Sequence, residues 1–229
     1  MKLLASIADV LLPRFCKVCG RRLALSEQHL CVACQLDLPV MDYHPGIPCH
    51  TERLLMGELS VVRAASFIRY DKDSEYRKIL YHLKYYNHPD VGHYLGRQAA
   101  LYLQERGFFD GIDLLVPVPL SRKKLRKRGY NQCDYLARGI ASITGISIET
   151  RAIVRCKANT AQAKKGRFER WSNAEGIFAV SRPELLEGHH ALLIDDVITT
   201  GATTATIAEM IEKSVPNAKI SIFTLALAT

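Results

Sequence analysis

Two sets of residues in this chain have the types and spacing to do chemistry. The first is Asp195-Asp196, set between the apolar run Ala191–Ile194 and the hydroxyl-rich stretch Thr199-Thr200-Gly201-Ala202-Thr203-Thr204. A short continuous apolar run suits a strand covered on both faces of a parallel sheet, and the acids stand where that strand would end. Ala205, Ile207, Ala208, Met210 and Ile211 then follow with helical periodicity. A strand, a tight turn and a helix N-terminus make an anion site, because backbone N–H groups point into the turn and the helix dipole favours negative charge. Gly201 lets the backbone approach a ligand, and the hydroxyls of Thr199, Thr200, Thr203 and Thr204 can donate to phosphate oxygens. The aspartates need another partner, since phosphate beside them would be repelled. Sugar hydroxyls or a divalent cation suit them, and a ribose 5-phosphate carries both a diol and a phosphate. An ordinary strand, turn and capped helix has no need of paired acids followed by four hydroxyls around a glycine. No Gly-Lys-Ser/Thr is present, so this is not a Walker P-loop.

The second set is Cys16-Lys17-Val18-Cys19 and, eleven residues later, Cys31-Val32-Ala33-Cys34. Two such pairs are the expected ligands of one tetrahedral zinc ion, each pair forming a knuckle that presents two thiolates. A module this small cannot hold a core alone, so the metal would supply its folding energy. The alternative is a pair of disulfides, which suits an exported chain. A closed four-thiolate site leaves no open coordination position and is structural. Cys49 follows a linker-like stretch (Pro45, Gly46, Pro48), and His29, His44 and His50 are nearby alternative ligands. These four read more simply as loop and surface residues.

These residues need a frame. With 229 residues and 48% hydrophobic content, the chain has room for one full domain and a small module. The boundaries read from the sequence are 1–50 for an N-terminal helix, the cysteine module and its linker, and 51–229 for the larger domain. A net charge of +8 favours anionic partners such as phosphates or nucleic acid. No apolar run reaches the length of a membrane span. Asp9, Pro13 and Arg14 break the opening apolar run, and Leu3, Leu4, Ile7, Val10 and Leu11 share one helical face. The reading is a short amphipathic helix and a cytoplasmic chain, not a signal peptide.

Strands are predicted over 59–70, 113–119, 146–154 (interrupted or doubled), 176–180 and 218–226. Helices are predicted over 71–84, 89–106 and from Gly129 to Gly145. Alternating strands and helices give an α/β, mostly parallel, doubly wound sheet. Lys84 at the corner between two helices is within reach of a phosphate. Arg122-Lys-Lys-Leu-Arg-Lys-Arg128 lies just past a strand, where open α/β sheets bind ligands, and can meet a diphosphate. Residues 159–173 are polar and basic with one Trp and read as a catalytic flap.

The Asp195–Thr204 stretch resembles the phosphoribosyl-diphosphate (PRPP) motif of type I phosphoribosyltransferases. The whole chain resembles the ComF family of phosphoribosyltransferase-like proteins, associated with competence and DNA uptake. The likeness rests on the four-cysteine module, on Leu83-Lys84-Tyr85, and on Val116-Pro-Val-Pro119 with the basic run and Gly129-Tyr130-Asn131-Gln132. It rests also on Thr160, Gln162, Arg167, Arg170 and Asn173, on Phe178, and on the PRPP-like motif. Such proteins often carry a further CxxC-like pair, which Cys49 cannot complete here. The resemblance implies a type I phosphoribosyltransferase-like fold and magnesium-dependent chemistry on PRPP with an unknown acceptor. Asp195 and Asp196 would bind the ribose hydroxyls directly or through magnesium and stabilise charge on the sugar. Thr199, Thr200, Gly201, Ala202 and Thr203 would hold the 5-phosphate. Lys84, Arg122, Lys123 and Arg167 would meet the phosphates. Cys133 and Cys156 read as structural. The resemblance and the charge also support a non-catalytic scaffold that binds single-stranded DNA or a competence-machinery protein such as a ComF-operon helicase. Nucleobase salvage is the weakest reading, since no base pocket is legible.

Overall fold

A computed structural model describes residues 13–55, 60–85, 88–156 and 176–228. The predicted N-terminal helix and the flap, with Thr160, Gln162, Arg167, Arg170 and Asn173, lie outside the described residues. The central sheet has five strands: β1 (Ala64–Tyr70), β2 (Leu114–Pro117), β3 (Ser147–Ile148), β6 (His190–Ile198) and β7 (Lys219–Ala228). Their order is β1-β7-β6-β2-β3, and every pairing is parallel. A separate antiparallel pair joins β4 (Ile153–Arg155) to β5 (Phe178–Val180).

The helices divide between the two faces, as crossovers in a parallel sheet require. Strand alternation sends Leu192 and Ile194 of β6 to one face and Ala191 and Leu193 to the other. On the first face lie α3 (Arg77–Tyr85), α4 (Pro89–Gln104) and α6 (Gln132–Thr144), which bury Leu83, Leu95, Leu136 and Ile140. On the second lie α7 (Ala202–Ser214), through Ile207 and Ile211, and the β4–β5 pair, through Ile153 and Phe178.

Two strand bounds differ from the sequence reading by more than two residues. β1 begins at Ala64, not Leu59, and β6 runs through the aspartates to Ile198 instead of stopping at Ile194. β7 explains the second difference, since it pairs with β6 from His190↔Lys219 as far as Ile198↔Leu227. β2 reaches only Pro117↔Ile194, where prolines 117 and 119 deprive it of donors. Beyond Ile194 one flank of β6 is therefore open. Helix α3 also starts later than expected, because Asp71 Oδ1 accepts from Asp73 N at 3.0 Å and holds 71–74 in a turn.

The residues just before the stretch read as a linker are tied to the sheet. Arg69 N donates to Pro39 O at 2.9 Å and Met41 N to Phe67 O at 2.8 Å, so 39–41 lie along the edge of β1. A short helix α2 (His50–Leu55) follows. Its Thr51 hydroxyl donates to Ser66 Oγ at 2.8 Å, which in turn lies 2.6 Å from Thr224 Oγ1. The cysteine knuckles, the second of which opens α1 (Val32–Leu36), bury Val18, Leu23 and Leu30 in the same core as α3 and α4.

Candidate PRPP and zinc sites

At the open end of β6 the chain builds a cleft of about 810 Å³. Asp195 and Asp196 form its centre, and both meet the first turn of α6, which supplies Gln132 to one and Cys133 to the other. Asp196, on the face of Leu192 and Ile194, is buried. Its Oδ2 accepts from Gln132 Nε2 at 2.8 Å and pairs with Lys84 Nζ at 3.0 Å. Asp195 is held differently: its Oδ1 accepts from the Asp196 N–H at 2.8 Å and faces the Cys133 thiol at 3.6 Å. Desolvation, and then the adjoining Asp196 carboxylate, push the Asp195 carboxyl up to about 7. Burial followed by Asp195 raises the Cys133 thiol, so it stays protonated and acts as a weak donor, not a nucleophile.

Next to the acids, Thr199–Gly201 turn the chain into α7. A small hollow of about 50 Å³ is lined by Asp195 and by Thr199, Thr200, Gly201, Ala202 and Thr203 among others. Gly201 has φ +77°, and a Cβ there would lie 2.7 Å from Leu55 Cδ2. Glycine is favoured there by its left-handed backbone, with the Leu55 side chain of α2 packed close behind the turn. Thr199 and Thr203 are exposed to the hollow's side, whereas Thr204 is buried and donates to Gly201 O at 3.0 Å. Thr204 therefore braces the turn instead of offering a donor to a ligand, contrary to the sequence reading.

The basic run forms helix α5 (Arg122–Arg128), capped by Ser121 and ended at Gly129 with φ +84°. Helical winding distributes its cations around the axis. Lys124, Arg126, Lys127 and Arg128 line the cleft, whereas Arg122 and Lys123, the pair singled out from the sequence, are exposed and do not line it. Lys84 does line it, but as the partner of Asp196. The Arg128 guanidinium bonds Gln132 Oε1, linking the basic helix to the carboxylate pair, and also lies 5.7 Å from the exposed Tyr85 ring. Sequence reasoning missed Lys124, Lys127 and Gln132 as individual ligands, although each lies in a stretch it had marked. It missed Arg155 altogether. Arg155 ends β4 and lines the same cleft, and its only sequence signal is a cation closing an apolar pair.

The four sulfurs of Cys16, Cys19, Cys31 and Cys34 lie within 4.8 Å of one another. Cys19 Sγ and Cys31 Sγ are 3.7 Å apart, far beyond a disulfide and close to the roughly 3.8 Å edge of a tetrahedron with zinc–sulfur bonds of about 2.3 Å. The Cys34 N–H and the Arg21 side chain draw the Cys31 thiol down to about 6, which favours the thiolate a metal needs. The four-thiolate set thus fits a structural zinc ion. Cys49 stands apart: its thiol donates to Ala64 O at 3.1 Å, and burial raises it. His29 packs edge-on against Tyr94 with ring centroids 5.2 Å apart, outside the sulfur cluster.

The chain is 28% identical over 214 residues to the DNA utilization protein YhgH of Salmonella typhimurium, covering 87% of this chain and 91% of that one. It is also 35% identical over 112 residues to the competence protein ComFC of Bacillus subtilis, covering 49% of this chain and 43% of that one. The chain is thus similar to DNA utilization proteins along most of its length and to competence proteins along about half of it. No protein-family model matches the sequence. Among solved structures, the chain is similar to the allosteric regulatory enzyme of purine biosynthesis, at a TM-score of 0.43 and 18% identity over 63% of this chain and 29% of that one. No helix among the described residues is long and apolar enough to cross a membrane.

Proposed function

We propose that this ComF-like protein binds PRPP with magnesium in the cleft and transfers its phosphoribosyl group to an acceptor. The observation that carries this reading is the carboxylate pair at the open flank of β6, beside a hydroxyl-lined turn at the N-terminus of α7 and facing a wall of cations. The turn of Thr199–Thr203 takes the 5-phosphate on backbone N–H groups and threonine hydroxyls. Asp195 and Asp196 take the ribose hydroxyls, and their hard oxygen donors suit magnesium completed by substrate oxygens. Magnesium, when bound, neutralises diphosphate charge and orients the sugar. Lys84, Lys124, Lys127 and Arg128 surround the diphosphate and stabilise the electron pair it carries off as the C1–O bond breaks. The ionised acids favour the positive charge that develops on the ribose before the acceptor nitrogen bonds C1 and releases its proton. Titrating PRPP into Asp195→Asn and Asp196→Asn variants tests the assignment. We expect affinity to fall about tenfold or more in each; undiminished affinity in both would remove the site.

A second reading, a DNA- or partner-binding role in DNA uptake, is supported by a different observation. Tyr81 and Tyr85 are exposed with ring centroids 5.8 Å apart, beside a helix with no buried residue and six cations in seven positions. Aromatic rings next to a basic groove suit single-stranded nucleic acid, and the printed names of the relatives refer to DNA utilization and competence. Single-stranded DNA binding should weaken steeply with salt. Replacing Arg126, Lys127 and Arg128 with Ala should make the log–log slope about 2 to 3 units shallower. A salt-independent affinity would exclude this reading.

A further inference from the structure

Arg155 lines the cleft away from the α5 cations, and the PRPP reading gives it no task. It comes from β4, on the sheet face opposite Lys84 and Gln132, and its guanidinium lies 4.9 Å from the centroid of the buried Phe178 ring. Among the described residues it makes no salt bridge, although it is half-buried and Asp195 acts on it through space. A desolvated guanidinium carries five donors, and leaving them unused costs free energy unless a ligand takes them. The phosphates of PRPP already have partners: the turn of Thr199–Thr203 for one, Lys84 and the α5 cations for the other. Asp195 and Arg155 line the same cleft, so a ribose held by the carboxylate pair shares that cleft with Arg155. Whatever occupies the Arg155 side is the group that approaches the sugar.

We propose that Arg155, seated on Phe178, recognises an anionic group on the acceptor, so that the acceptor is a nitrogen nucleophile bearing a carboxylate or a comparable oxyanion. This rests on the phosphoribosyl-transfer reading of the cleft. The orientation follows from charge: an oxyanion drawn to Arg155 is repelled by Asp195, which keeps the acid free for the ribose while the acceptor is held at its own end of the cleft. A neutral isostere would leave the guanidinium desolvated and unpaired, so discrimination against it should be strong.

The test uses full-length, zinc-loaded protein and two pairs of probes that differ only in charge, benzoate against benzamide and nicotinate against nicotinamide. Each is titrated calorimetrically with and without magnesium PRPP, and ribose 5-phosphate is titrated alone. The wild type should prefer the carboxylate of at least one pair by about tenfold or more. Arg155→Met, which keeps the apolar contact with Phe178, should erase that preference, and Arg155→Lys should keep part of it. Both variants should bind PRPP and ribose 5-phosphate as the wild type does, and the Lys variant retains a test should the Met variant not fold. No charge preference in the wild type, or one that survives Arg155→Met, overturns the proposal. Loss of ribose 5-phosphate affinity in Arg155→Met also overturns it, making Arg155 a phosphate ligand while the PRPP reading stands. A wild type that discriminates the carboxylates through Arg155 but does not bind PRPP has the opposite meaning: the anion site survives and the transferase reading fails.

Discussion

Asp195 and Asp196 are neighbours on β6, yet each carboxylate is held by different groups. Asp196 has Lys84 and Gln132 on its Oδ2, whereas Asp195 has a backbone N–H and a thiol on its Oδ1. The Asp195 carboxyl is raised to about 7, so the folded protein binds a proton there that the unfolded chain releases near the ordinary carboxylate range. The stabilisation this gives is present at low pH and lost as pH rises through about 7. Thermal melts should therefore show Asp195→Asn gaining on the wild type between pH 5 and pH 8, by on the order of 1 kcal/mol. A constant difference across that range would place Asp195 in solvent. In the proposed site magnesium PRPP would require the ionised acid, so its affinity should climb over the same interval. The acids and the hydroxyl turn were legible because their residue types are improbable together in an ordinary turn. Arg155 was not legible, because a single arginine at a strand end carries no pattern; only the fold brings it beside Asp195. Arg122 and Lys123 were chosen over Lys124 and Lys127 because a run of charges reveals no helical phase until its cap, here Ser121, is fixed.

Helix α6, which begins at Gln132, packs unusually close against α4. A Cβ on Gly96 would lie 2.3 Å from Leu136 O, and one on Gly139 would lie 2.2 Å from His93 O and 2.9 Å from Arg97 N. Both glycines are buried with backbone on the other side, so neither clash can be relieved by a rotamer change. Gly139→Ala should destabilise the fold by at least about 2 kcal/mol in urea titrations, since the helices must separate. It should also lower PRPP affinity, because α6 begins at Gln132 and its neighbour Cys133 faces Asp195. Wild-type stability in Gly139→Ala would mean that the helices are not held at this distance. Helix α6 was predictable from its period and from its Asn131 and Gly145 caps. The crossing was not, because two glycines become a contact only when two helices meet. The extension of β6 past Ile194 was hidden for a similar reason: it depends on β7, a partner more than twenty residues away in sequence.

The four-cysteine module and the helices that line the cleft are parts of one core. Cys16, Leu23, Leu30 and Cys31 are buried with Leu80, Leu83 and Leu95, and Tyr76 Oη and Lys78 Nζ donate to the carbonyls of Cys34 and Val18 at 3.1 and 3.3 Å. Tyr76 leads into α3, whose last turn carries Lys84. Metal removal should therefore do more than unravel the first residues. Stripping zinc with a chelator should lower the melting temperature by several degrees, about the shift that 2 to 3 kcal/mol produces in a domain of this size. It should also weaken PRPP binding, and both effects should reverse when zinc is restored. An unchanged melt would mean that the four sulfurs do not hold a metal. The two CxxC pairs were legible from spacing alone, but their docking on α3 and α4 was not, since it comes from buried Val18, Leu23 and Leu30 rather than from the ligands. The measurement that tests the central claim most directly is calorimetric titration of the zinc-loaded protein with PRPP, with and without magnesium, against Asp196→Asn. Saturable binding that magnesium strengthens and the substitution weakens is the predicted result. No binding in either condition, or binding indifferent to Asp196, would contradict it and leave the basic, aromatic cleft to nucleic acid.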